Sequence, residues 1–195
     1  KQEYIMSDDK VEQQIIQATI DCIEKFGLAG VTNRRIAELA SVNHAAINYY
    51  FRSKDNLIAR VMEITAKMVF DWDQLDAQPG ATSKERCIAI FENMVKGGCD
   101  YPEIMRAHFY GIMTHQAIDM SPYRFFIIRL SDDLKTRGTK LNQEELQLAL
   151  IQIASACLMI VLVPNLNVPE FNLDLQNEEM RHHFVTELVD KLITM

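Results

Sequence analysis

The chain has 195 residues, enough to bury a sizeable core in one large or two small domains. Hydrophobic residues make up 48% and charged residues 24%, the balance of a soluble globular protein, which argues against a disordered or fibrous chain. The net charge of −7 argues at first against nucleic acid, but between Gly30 and Arg60 the cations Arg34, Arg35, Arg52, Lys54 and Arg60 face only Glu38 and Asp55, a local +3 against −10 elsewhere.

In chain order, the apolar residues predict helices throughout and no strands. Ile16, Ile20, Ile23 and Phe26 recur at helical spacing over about 9–26, and Gly27 is placed to end that helix. Thr32 is an N-cap candidate for a short helix over 33–40, with Ile36, Ala37 and Ala40 inward. Ser41, Val42 and Asn43 make a tight turn, and Asn43 can cap a further helix over 44–51. Helix, three-residue turn, helix is the helix-turn-helix layout. Ser53 can cap a long helix carrying Leu57, Val61, Ile64 and Met68, fading into Asp71-Trp72-Asp73 before the breaker Gln78-Pro79-Gly80. Further helices are expected over about 83–97, 102–116, 122–137, 142–163 and 176–193.

The strongest apolar run, Leu148 to Val163, is 16 residues long and is interrupted by Gln152 and Ser155. That is short against the roughly 20 residues a membrane span needs, so a buried helix is expected and no membrane partner. No basic-then-apolar leader opens the chain. Cys22, Cys87, Cys99 and Cys157 are scattered and form no Cys-x-x-Cys pair. Free thiols and a cytoplasmic location are the expectation.

On a helical wheel, His44, Ala45, Asn48 and Tyr49 share one side of the 44–51 helix, and Ala46, Ile47, Tyr50 and Phe51 share the other. One side can pack on the two preceding helices. The other presents groups suited to base edges and phosphates, on a helix whose diameter fits the major groove. The competing reading is a bundle helix whose polar face touches only water.

The stretch VTNRRIAELASVNHAAINYYFRSKDNLI resembles the DNA-binding domain of the TetR (tetracycline-repressor-like) family of bacterial transcription regulators. Phe26, Gly27, Thr32, Ile36, Ala37, Ala40, Val42, Ile47, Tyr50, Phe51, Lys54 and Leu57 carry the likeness, over about residues 10–60. Two glycines of the usual pattern are Ser41 and Ala45 here, and Ser41 reads as a turn that need not adopt positive φ. Asn48 replaces a commoner tyrosine, so sequence preference should differ. The resemblance implies that His44, Ala45, Ala46 and Asn48 read bases and that Thr32, Tyr49 and Lys54 hold phosphates. Arg34 would reach a phosphate or the minor groove. Arg35, where an acidic residue is common, would raise affinity for any DNA.

The resemblance divides the chain into a helix-turn-helix domain over 1–55 and a dimerisation and effector-binding domain over 56–195. The apolar 142–163 helix is expected to be buried on several sides. With Met180, Phe184, Leu188 and Ile193 of the last helix it would supply half of a four-helix dimer interface. Met94, Met105, His108, Phe109, Ile112, Met113, Phe125, Phe126 and Arg129 are effector-pocket candidates, because Met and Phe make adaptable apolar walls and His or Arg can orient a polar group. His115 lies seven residues beyond His108, but two histidines are too few to claim a metal.

Glu179 and His182 form a Glu-x-x-His sequence of the kind di-iron bundles use, but no second copy is present. No phosphate loop, nucleophile elbow or zinc-protease motif occurs, so no enzyme and no cofactor are expected. The expected function is a homodimeric, all-α repressor that binds an inverted-repeat operator in duplex DNA and is released by a small-molecule effector. A ligand-independent DNA-binding regulator and, behind it, a helical-bundle enzyme are the alternatives.

Overall fold

The computed structural model describes residues 10–69, 82–113, 121–163 and 173–193. Among these residues the chain is helical with no strand. The helices are α1 (Lys10–Phe26), α2 (Asn33–Ala40), α3 (His44–Phe51), α4 (Lys54–Val69), α5 (Ser83–Asp100), α6 (Pro102–Met113), α7 (Ser121–Thr136), α8 (Gln143–Leu162) and α9 (Glu178–Leu192), with a short 3-10 turn at Leu28–Gly30. The expected fade of α4 into 71–73, and His115, lie outside the described residues.

The chain divides into two compact units, one within residues 1–68 and 101–117, the other within 69–100 and 118–195. These packing units do not follow the functional division expected at residues 55 and 56. Almost all of α4 belongs with the helix-turn-helix, and α6 returns to it from 33 residues further along the chain.

In the first unit, Ile15, Ile16, Ile20 and Ile23 of α1 meet Ile36, Ile47, Phe51, Leu57 and Val61 from the next three helices. Each such side chain taken out of water contributes about 1.5–3 kcal/mol before the entropy of ordering is charged against it. Ile104 and Ala107 bring α6 into the same core. Two polar contacts fix α6 there. Glu24 on α1 accepts from the backbone N–H of Ile104 at 2.7 Å and of Glu103 at 3.3 Å, capping the helix start. Burial pushes the Glu24 carboxyl above its ordinary range despite those donors. Nε2 of His108 on α6 lies 2.9 Å from the Thr65 hydroxyl on α4, which also bonds the carbonyl of Val61.

In the second unit, α5 is central and packs against α7, α8 and α9. Phe91 and Phe126 meet edge to face, with centroids 6.0 Å apart. The almost fully buried Arg86 is paired with Asp133 at 2.6 Å, and Arg137 approaches the same carboxylate.

The expectation for α8 needs correction. Leu146, Leu150, Ile153, Cys157 and Val161 are buried along one side, but Leu148 is 57% exposed and Met159 55%, with Ile151 exposed between them. The helix is apolar on both sides yet buried on one. It is also longer than the apolar run: Asn142 forms a capping box with Glu145, which starts the helix at Gln143. At 20 residues, it is the one described helix long and apolar enough to cross a membrane by length and composition. Along α9 it is Arg181, Val185 and Val189 that turn inward, leaving Met180, Phe184 and Leu188 half-buried at the flank, while Ile193 is buried just past the helix end.

Candidate nucleic-acid interface

Local chemistry builds the site. The Thr32 hydroxyl accepts from the N–H of Arg35 and starts α2. The Asn43 side chain accepts from Ala45 N at 2.9 Å and starts α3. The Ser53 hydroxyl accepts from Asn56 N at 3.1 Å and starts α4. All three were legible as N-caps.

The turn between α2 and α3 departs from expectation. Ser41 sits at φ 54° and ψ 40°, in the left-handed region, although it is not glycine. The N–H of Val42 bonds the carbonyl of Ala37 at 3.1 Å, and that of Ser41 bonds Glu38 at 3.3 Å. This is the double bond pattern of a Schellman motif, which demands the left-handed residue whatever its side chain. Val42, the residue after it, packs on the core. A serine at this position does not by itself decide the backbone; the hydrogen bonds do.

The resulting α3 has the two sides expected of it. Ile47 and Phe51 are buried, and Ala46 and Tyr50 pack half-buried against the core. His44, Ala45, Asn48 and Tyr49 are exposed together, Tyr49 at 72% and held edge-on to Tyr50. Ala46 therefore stands on the packed flank, apart from the other base-reading candidates.

Lys54 donates to the carbonyl of Val31 at 3.3 Å, which sets its ammonium beside Thr32 and the start of α2. Helix-start N–H groups and a cation together suit an anion. The two arginines expected to touch DNA are differently engaged. Arg34 pairs with Glu38 one turn away at 2.9 Å, both highly exposed. Arg35 donates to the carbonyl of Gly30 and lies over the Phe26 ring, 4.5 Å from its centroid. A methyl on Gly30 would come within 2.8 Å of the Phe26 side chain, so glycine leaves room for this clamp.

The effector candidates fall in both packing units. Met105, His108 and Phe109 lie on α6 in the first, with Ile112 and Met113 in its last turn, where side chains are outside the described residues. Met94, Phe125, Phe126 and Arg129 lie in the second. Met94, Met105 and Phe126 are buried core, whereas Phe125 is 60% exposed. His108 is held by Thr65, and burial lowers its affinity for a proton. Glu179 is exposed, and His182 bonds Glu92 on α5 at 2.8 Å. Among the described residues no three His, Cys, Asp or Glu side chains gather as a metal site would require.

Residues 15–61 match the family model described as bacterial regulatory proteins, tetR family. The HTH-type transcriptional regulator BetI of Klebsiella pneumoniae is 31% identical over 97 residues, covering 49% of this chain and 48% of that one. The chain thus spans about half the length of that curated relative. A TetR transcriptional regulator from Legionella pneumophila is similar in structure, with a TM-score of 0.71 at 19% identity over 97% of this chain and all of that one. The multidrug binding protein EbrR, solved with imidazole, superposes at a TM-score of 0.57 and 16% identity, over 96% of this chain and 97% of that one. These two structural likenesses speak to the fold.

Proposed function

We propose that this chain, whose residues 15–61 match the tetR family of bacterial regulatory proteins, is a member of that family and a sequence-specific DNA-binding regulator acting as a homodimeric repressor. The observation that carries the reading is α3: a helix that buries Ile47 and Phe51 while presenting His44, Ala45, Asn48 and Tyr49 together. Asn48 is the base reader of that set, because a side-chain amide bonds adenine in two places. His44 and the methyl of Ala45 complete the base-facing surface. Thr32, Tyr49 and Lys54 hold phosphates and fix the helix in register.

Dimerisation is supported by the exposed apolar stripe of α8, Leu148, Ile151 and Met159. A second copy covering that stripe also gives a palindromic operator its second recognition helix, about 34 Å from the first. A small-molecule effector would release DNA only if it binds the free and DNA-bound forms unequally. The likeness in fold to EbrR, a multidrug binding protein by name that was solved with imidazole, supports an effector for this chain.

Selection from a random duplex library at a stated salt concentration tests this. The expected result is an inverted repeat whose information content drops at one position per half-site in Asn48→Ala. Recovery of no motif, even at low salt, would sink the reading.

A further inference from the structure

We infer that Arg52 is a further DNA-contacting residue, holding a phosphate at the C-terminal end of α3. This rests on the DNA-binding reading above. Between residues 30 and 60 four arginines are available to a polyanion. Arg34 is paired with Glu38, Arg60 with Glu63 at 2.9 Å, and Arg35 is clamped between Gly30 and Phe26. Arg52 is exposed and has no carboxylate partner among the described residues. It is the one arginine of the four whose fork is free for a ligand.

Its backbone gives a second, independent reason. Arg52 has φ 68° and ψ −41°, and the N–H of Ser53 bonds the carbonyl of Phe51 across it at 2.8 Å. That is the rare γ-turn with positive φ, which strains any residue carrying a Cβ. Glycine would fit there without strain. An arginine kept in that conformation, one turn beyond Asn48 on whose carbonyl its own N–H rests at 3.0 Å, continues the exposed face of α3 past the helix end. A helix lying in the major groove has a phosphate row beyond each end, and Arg52 is the exposed cation immediately past the end of α3.

The competing account is that the cation only complements the carbonyl end of α3. Three proteins distinguish the two accounts: wild type, Arg52→Gly and Arg52→Lys, titrated with a short duplex of arbitrary sequence between about 50 and 200 mM salt. Arg52→Gly should lose roughly tenfold in affinity per protomer at the low-salt end, with a log–log salt slope shallower by about 0.9 per protomer. Its denaturation midpoint should equal or exceed that of wild type, because the strain is relieved. Arg52→Lys should keep the wild-type slope.

An unchanged slope in Arg52→Gly, with salt-dependent binding by wild type, overturns the inference and leaves the DNA-binding reading standing. Loss of slope in Arg52→Lys as large as in Arg52→Gly overturns it too, since a charge contact survives that exchange. Absence of salt-dependent binding by wild type removes the DNA-binding reading itself.

Discussion

Ser41 carries a cost that its neighbours impose. Two hydrogen bonds and the docking of Val42 hold it left-handed, a conformation in which a Cβ approaches the carbonyl oxygen. The penalty is roughly 1–2 kcal/mol for a residue other than glycine. Ser41→Gly should therefore raise the unfolding free energy by about 1 kcal/mol, less the extra freedom glycine gives the unfolded chain. A urea titration checks this: the midpoint should rise with the slope unchanged. A β-branched replacement such as Ser41→Val should lower the midpoint, and a lower midpoint for glycine would show that the serine side chain itself stabilises the turn. The same contrast separates what was legible in the residues from what was not. Thr32, Asn43 and Ser53 could be placed as caps because capping needs only a short oxygen-bearing side chain at a helix entry. The Arg35 clamp on Phe26 and Gly30 could not, because its partners meet through the fold. Nothing in the order of residues says that a cation between Asn33 and Ala40 points back toward α1.

The amphipathic pattern of α3 was readable because eight residues cover two turns, and a face that must pack on α1 and α2 leaves the opposite face fixed. For α8 periodicity failed, since a helix apolar on both sides gives no phase to read. Only packing shows that Leu146, Leu150, Ile153 and Cys157 face the core while Leu148, Ile151 and Met159 do not. Large apolar side chains left in water along one face are unfavourable, and a second copy of the chain is the occupant that fits the proposed palindromic site. Replacing Leu148 and Ile151 together by glutamate should weaken self-association by at least about tenfold, or ~1.4 kcal/mol. Sedimentation velocity would show a shift toward monomer, while far-ultraviolet dichroism should keep its helical amplitude because neither side chain supports the core. Unchanged sedimentation would move the interface elsewhere, to the half-buried flank of α9 carrying Met180, Phe184 and Leu188.

Charge and chain path together explain how one molecule can carry an overall −7 and still present the locally basic surface that the proposed DNA contact needs. The cations concentrate where α2, α3 and the start of α4 lie, and the acidic excess is spread over the rest. The helix-turn-helix is not a free-standing module, since α6 returns to its core through Ile104 and Ala107 and is tied to α4 by Thr65 and His108. That tie makes the stability of the first unit depend on pH. Burial lowers the His108 pKa below its ordinary 6.5. An unfolded chain therefore takes up a proton at His108 before the folded one does as pH falls. Below about 6.5 the unfolded state binds more protons, so stability decreases on acidification until the lowered folded value is passed. Glu24 works in the opposite sense further down: its raised pKa means the folded state takes up the proton first, so stability is regained as pH falls through that raised value toward 4.5. His108→Gln keeps a donor for Thr65 and removes the titration. Denaturation midpoints measured between about pH 5 and 8 should fall with acidification in wild type and stay nearly flat in the variant. If the two profiles run parallel, His108 takes up its proton at the same pH folded and unfolded, and burial does not disfavour the charged ring there.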